Sequence, residues 1–130
     1  MPTRYQRLRE TVANLAAPAE EQVRHLDRIF TPMTGGRSAA GYGNDELALE
    51  FDDIFQGAGD MIDHGELTVA EKEAIRPLDA LLAKWSAPGN AGFWRREALF
   101  DDPRWAEVRA CAARALARLP DEERGTGRSV

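Results

Sequence analysis

Apolar residues recur at intervals of three and four positions along most of this chain, the spacing that places them on one face of an α-helix. The clearest stripe is Tyr5, Leu8, Val12 and Leu15. Such stripes predict helices at about residues 3–16, 18–30, 45–56, 68–85, 91–99 and 103–119. No segment alternates apolar and polar residues with the period of a β-strand. We therefore predict an all-α fold, a single small bundle of five to six helices over residues 1–119.

Gly, Pro and Ser separate the predicted helices. Residues 31–44 are rich in these types and have no periodicity, which predicts one long flexible loop. Gly57 and Gly59 are expected to break or bend the third helix, with a turn-rich connection at residues 60–65. Residues 120–130 contain almost no apolar side chain and are predicted to be a disordered tail.

Helix boundaries follow from individual residues. Asn44 is a preferred N-cap residue and precedes the third predicted helix. Thr68 and Glu71 form the S/T-x-x-E pattern of a capping box at the start of the fourth. Pro77 predicts a kink or a short break after Arg76, because a proline ring clashes with the carbonyl four residues back.

The composition is ordinary for a globular domain, with 43% hydrophobic and 30% charged residues. No apolar run approaches the ~18 residues of a membrane span, and the first ten residues lack the apolar segment of a secretory signal. Cys111, the only cysteine, cannot form an internal disulfide, which suits the cytoplasm. We therefore expect a cytoplasmic protein, and the lack of an apolar run predicts that it does not bind a membrane. The net charge of −5 argues against a nucleic-acid partner, because phosphate binding needs concentrated Lys and Arg.

The negative charge is concentrated in residues 44–73, whose net charge is −9, whereas each flank carries +2. Such asymmetry bears on the partner of a protein more than on its fold. Within this segment Glu46, Glu50 and Asp53 lie four and three residues apart, so that their carboxylates share one exposed strip of a helix. Either this strip is a solvated face, or it is offered to a basic partner.

Residues 60–71 resemble a twelve-residue calcium loop of the EF-hand type, with Asp60, Gly65 and Glu71 at its first, sixth and twelfth positions. Ile62 and His64, however, stand at the third and fifth positions, where side-chain oxygens should bind the ion. A turn followed by a capping box explains Gly65 and Glu71 better than a calcium site does. We expect no metal and no other cofactor.

Catalytic chemistry finds little support in the sequence. Asp52 and Asp53 are adjacent on a helix, where they diverge by about 100° and cannot share a proton. Cys111 lies among alanines in a predicted helix and is expected to be buried, and neither histidine stands near a nucleophile motif. We predict that the protein is not an enzyme. Of its three tryptophans, Trp94 lies beside a basic pair and is the one expected at a binding surface.

The segment Glu46-Leu-Ala-Leu-Glu50, followed by Phe51-Asp-Asp-Ile54 and then Leu67-Thr-x-x-Glu71, resembles small bacterial immunity proteins of the Maf type. The resemblance covers about residues 44–84. It implies an all-helical protein that neutralises a cognate toxin by binding it, often a nuclease toxin. Such a toxin would present a basic cleft to which an acidic helix face is complementary.

We therefore expect a toxin-binding protein whose contact surface comprises Glu46, Glu50, Asp52, Asp53, Asp60, Asp63 and Trp94. Two alternatives remain open. One is a degenerate EF-hand-like or helical regulatory module that binds a cation or a partner helix. The other is a structural, oligomerising helical protein.

Overall fold

The computed structural model describes residues 3–33 and 44–122, except the side chains of residues 29–33. The helices in these ranges are α1 (Arg4–Ala16), α2 (Ala19–Met33), α3 (Asp45–Phe55), α4 (Ala58–Asp63), α5 (Val69–Trp85), α6 (Ala98–Asp101) and α7 (Pro103–Leu116), with a 3-10 turn at Ala91–Trp94. No residue in these ranges belongs to a β-strand. The predicted all-α fold is thus confirmed. None of the described helices is both long enough and apolar enough to cross a lipid bilayer.

Helix α1 lies at the centre of the bundle, where it packs mainly against α7 and α3, and α7 packs in turn against α5. The predicted stripe of α1, from Tyr5 to Leu15, is completely buried. Each large apolar side chain removed from water stabilises the fold by roughly 1.5–3 kcal/mol. The same core cluster includes Phe51 of α3 and Trp105 of α7, both with no exposed surface.

An aromatic cluster joins the end of α5 to α7 through the 3-10 turn. The rings of Phe93 and Trp105 are stacked with centroids 4.4 Å apart, and Trp94 meets both edge-on, at 4.7 Å and 6.0 Å respectively. The indole nitrogen of Trp105 donates to the Phe93 carbonyl (2.6 Å), and that of Trp94 donates to the Trp85 carbonyl (3.1 Å). These bonds fix a segment too short to be stable alone.

Helix α5 runs without a break through Pro77, so of the predicted kink or short break after Arg76 the break is wrong. Pro77 lies on the exposed side of the helix. The carbonyl of Glu73, which a proline at this position leaves without its helical partner, can be hydrated there. The start of α5 is as predicted, because Thr68 and Glu71 form a reciprocal capping box.

Two shorter segments also differ from the prediction. Residues 60–63 belong to a helical turn, α4, that starts after Gly57 and includes Gly59, rather than to an irregular connection. Tertiary packing explains this, since Ala58 and Met61 of α4 are both buried in the core. The helix predicted at 91–99 is divided into the 3-10 turn and α6.

Helix α2 extends to Met33, three residues beyond its predicted end. The remainder of the predicted loop, residues 34–43, lies outside the described residues, as do residues 123–130 of the predicted tail. Pro120 is part of the folded structure, because its carbonyl accepts a hydrogen bond from the buried Tyr5 hydroxyl.

Candidate partner-binding surface

Helix α3 carries the main acidic surface. Its eleven residues include five carboxylates and no basic side chain. Leu47, Phe51 and Ile54 bury one face against the core, so the carboxylates are left on the other sides of the helix. The sequence predicted this arrangement from periodicity alone.

The carboxylates of α3 differ in how they are neutralised. Glu50 contacts the imidazole of His25 on α2, with 2.8 Å between Oε1 and Nε2. Asp52 accepts a hydrogen bond from the amide of Gln56 (2.7 Å). Within the described ranges, Glu46 and Asp53 form no ion pair with any basic side chain. Partial burial and the neighbouring carboxylates of Glu50 and Asp45 raise the pKa of Glu46 above its ordinary value.

Asp60 and Asp63 belong to α4 rather than to the α3 surface. Asp60 pairs with Arg4 of α1, at 2.9 Å between Oδ2 and Nη1, and the guanidinium lowers the pKa of this carboxyl. His64 also lies 3.5 Å from Asp60. Asp63 is exposed. The structure thus divides the six predicted acidic residues into an α3 group and an α4 group, and it neutralises Asp60 within the fold.

Glu66 is a buried charged residue that the sequence analysis counted only as part of the acidic segment. Its side chain has no exposed surface, and Arg4 donates to both of its oxygens, from Nε at 2.8 Å and from Nη2 at 2.7 Å. These hydrogen bonds lower the pKa of Glu66. No local pattern could have revealed this pair, because 62 residues separate its members.

A groove of about 360 Å³ lies between α3 and α5, and we call it the α3–α5 groove. It is lined by Asp45, Ala48, Leu49, Phe51, Asp52, Asp79, Leu82, Ala83, Ser86 and Trp94. Leu49 is 52% exposed and lies among the carboxylates of α3. Apolar surface surrounded by polar groups is typical of binding sites on proteins.

Trp94, the predicted binding tryptophan, lies in this groove and is half-buried rather than fully exposed. Asp79 of α5 is a further candidate that the sequence analysis missed. Its relation to α3 depends on the packing of two helices and has no signal in the local sequence. Burial and the neighbouring Asp52 raise the pKa of Asp79, and Arg76 only partly opposes this rise.

The calcium-loop alternative requires a geometry that the described residues do not form. Asp60 lies inside α4, and Ile62 follows it there, whereas the first half of an EF-hand loop is not helical. The Glu71 carboxylate accepts a hydrogen bond from the Thr68 amide at 2.9 Å, as part of the capping box. No group of three or more His, Cys, Asp or Glu side chains in the described ranges could hold a metal ion.

Cys111 is buried on α7, as the sequence predicted, and its burial raises the pKa of the thiol. A raised thiol pKa reduces the thiolate fraction on which nucleophilic chemistry depends.

The chain matches no protein-family model, no curated protein and no solved structure. The candidate surface is therefore assigned a function from its own geometry and charge.

Proposed function

We propose that this protein is a cytoplasmic, non-enzymatic immunity protein that binds and neutralises a cognate bacterial toxin through the acidic surface of α3. The observation that carries the proposal is the charge of this helix: five carboxylates, no basic side chain, and one contact with an imidazole. Like charges at helical spacing destabilise a helix by a few tenths of a kcal/mol per pair. A basic partner would remove this repulsion on binding.

Electrostatic attraction would act mainly on the rate of association. An acidic surface steers a basic partner during encounter and can raise the association rate constant by orders of magnitude at low salt. A toxin that cleaves nucleic acid must bind phosphate and so presents a basic cleft of this kind. The α3 surface would occupy that cleft.

Apolar contacts would act mainly on the rate of dissociation. Leu49 and Trp94 line the α3–α5 groove beside the carboxylates. A few buried apolar and aromatic side chains usually provide most of the binding energy of an interface, while the charges around them give specificity. The surface therefore has both of the parts that a tight and selective complex requires.

The test begins with capture of binding proteins from the source bacterium at low salt, followed by expression of the captured protein on its own. The proposal requires that this protein inhibits growth and that co-expression of the chain restores it. Substitution Asp53→Lys should abolish the rescue. The matched control is Glu107→Lys, which makes the same charge change at an exposed carboxylate of α7 and should preserve rescue.

Two results would contradict the proposal. In the first, the captured partner is harmless to the cell. In the second, Asp53→Lys and Glu107→Lys rescue growth equally, so that the α3 surface is irrelevant. A calcium titration separates the cation-binding alternative, since an immunity protein should show no change in tryptophan fluorescence when calcium is added.

A further inference from the structure

The walls of the α3–α5 groove are aliphatic and aromatic. Leu49 of α3 and Leu82 of α5 contribute the aliphatic part, and Trp94 contributes an indole ring. Trp94 is held in place, because its Nε1 donates to the Trp85 carbonyl and its ring packs edge-on against Phe93. The groove thus offers a preformed wall to an unbranched, partly apolar side chain.

Three carboxylates line the same groove: Asp45 and Asp52 from α3, and Asp79 from α5. No basic side chain is among the residues that line it. Arg76 is engaged with Glu73, at 2.5 Å between Nη2 and Oε2, on the exposed side of α5. Burial is the main cause that raises the pKa of Asp79, the neighbouring Asp52 raises it further, and Arg76 opposes this rise only in part.

The size of the groove restricts what can enter it. Small-ligand sites on proteins have volumes of about 300–1,000 Å³, and this groove, at about 360 Å³, is near the lower limit. It suits one long side chain rather than a whole helix.

We propose that the α3–α5 groove binds an arginine side chain presented by the partner protein. The methylene groups of the arginine would lie against Leu49 and Trp94, and its guanidinium would donate to Asp52 and Asp79. Arginine fits better than lysine, because its planar guanidinium has a fork of N–H groups that can donate to two carboxylates at once. This inference rests on the proposed function, since it names the side chain by which the toxin would be anchored.

The first test uses the isotope-labelled wild-type protein and N-acetyl-L-arginine amide as the probe, followed by NMR. We expect saturable shifts of the Leu49 and Asp79 amides and of the Trp94 indole N–H, with a dissociation constant on the order of millimolar. The citrulline analogue has the same shape without the charge, and the lysine analogue has the charge without the planar group. Both should bind at least about fivefold more weakly.

The second test uses variants. Asp52→Asn with Asp79→Asn should weaken arginine binding at least about fivefold, because two charge-assisted hydrogen bonds are lost. The matched control, Asp101→Asn with Glu107→Gln, neutralises two exposed carboxylates that do not line the groove and should leave binding within about twofold.

The inference is overturned if the probe produces no saturable shift in the groove, if citrulline or lysine binds as well as arginine, or if the control pair weakens binding equally. These outcomes are separate from the fate of the proposed function. A captured toxin whose inhibition depends on Asp53 but not on Asp52 and Asp79 would refute the groove and leave the function standing. Arginine binding in the groove of a protein whose captured partner is harmless would refute the proposed function and leave the groove inference standing.

Discussion

Glu66 shows how far the environment of one residue can depart from that of its neighbours in sequence. It lies in the most acidic part of the chain, yet its side chain is completely buried and bound at both oxygens by Arg4. A bidentate guanidinium–carboxylate pair is both strong and geometrically specific. Through it, α1 is tied to the segment that precedes α5. Arg4 also binds Asp60, so one guanidinium neutralises two carboxylates of the acidic segment.

Substitution Arg4→Ala should therefore destabilise the fold by about 2–3 kcal/mol at pH 7, because it removes the bidentate partner of a buried carboxylate. Arg4 lowers the pKa of Glu66 in the folded state below its ordinary value of 4.5. The stabilisation is then fully present above that value, and it is lost as the pH falls through the lower folded-state pKa. The stability difference between wild type and variant should narrow in acid.

Urea unfolding at about pH 7 and about pH 3.5 measures both effects. The matched control is Arg7→Ala, which changes an exposed arginine on the same helix and should cost less than about 0.5 kcal/mol. An equal cost for the two variants, or a difference that does not change with pH, would show that the pair with Glu66 contributes nothing.

At the scale of elements, the start of α3 is fixed by a tertiary contact that the local sequence does not indicate. Asn44 stands at the N-cap position as predicted, but its side chain makes no capping bond. The residue is fully buried. Its backbone N–H donates to the Trp94 carbonyl (2.8 Å), and its side-chain Nδ2 donates to the Arg95 carbonyl (2.5 Å). Asn44 thus fastens α3 to the 3-10 turn, and this contact helps to place Trp94 beside α3 in the α3–α5 groove.

The substitution Asn44→Asp distinguishes a role of Asn44 in capping α3 from a role in fastening α3 to the 3-10 turn. Asp and Asn are equally good N-caps, so a capping role predicts almost no change in stability. A fastening role predicts a loss of about 2 kcal/mol at pH 7, because a buried carboxylate would face the Arg95 carbonyl without a proton to donate. Thermal and urea unfolding measure this loss.

Thr68→Ser at the start of α5 provides the control, since it preserves a true capping hydroxyl and should cost less than about 0.5 kcal/mol. A neutral Asn44→Asp variant would restore the capping interpretation of Asn44.

At the scale of the whole molecule, two groups of carboxylates have opposite effects on stability. Interaction with arginine lowers the pKa values of Glu66, Asp60 and Asp102, and these carboxylates favour the folded state when ionised. Burial and neighbouring negative charges raise the pKa values of Glu46 and Asp79, so these carboxylates oppose the folded state when ionised. The second group lies at the candidate surface. Such opposition between stability and binding is common where a surface is kept ready for a partner.

Asp79→Asn should accordingly stabilise the fold by a few tenths of a kcal/mol at pH 7, while it weakens arginine binding. The pKa of Asp79 lies above its ordinary value of 3.8. Its unfavourable contribution is therefore absent below that value and develops as the pH rises through the folded-state pKa. The gain should shrink in acid and at about 0.5 M salt, where charges are screened.

Urea unfolding at low and high salt tests this prediction. Asp63→Asn, at an exposed carboxylate outside the groove, is the control and should change stability less. If Asp79→Asn destabilises the protein under all conditions, the Asp79 carboxylate stabilises the fold, and the unfavourable contribution expected from burial and from Asp52 is absent.

Much of the fold could be predicted because its long helices are specified locally. Consecutive members of the stripe from Tyr5 to Leu15 are three or four positions apart, and the capping box joins Thr68 to Glu71. Both patterns can therefore be read from neighbouring residues. The acidic face of α3 is of the same kind, since helical periodicity alone separates its carboxylates from Phe51. The continuity of α5 through Pro77 was not predictable, because it depends on the burial of Ile75, Leu78 and Leu82 around the proline, and tertiary packing can override local propensity.

The sequence by itself thus determined that the chain is helical, where its long helices begin, and that its negative charge gathers on α3. Tertiary structure alone decided which charges remain available, because Arg4 and His25 reach particular carboxylates from other helices. It also created the α3–α5 groove, which brings Asp79 and Trp94 beside α3 from later segments of the chain. The physical reason is range: helix formation depends on neighbours within one or two turns, whereas a binding surface depends on residues that only packing brings together.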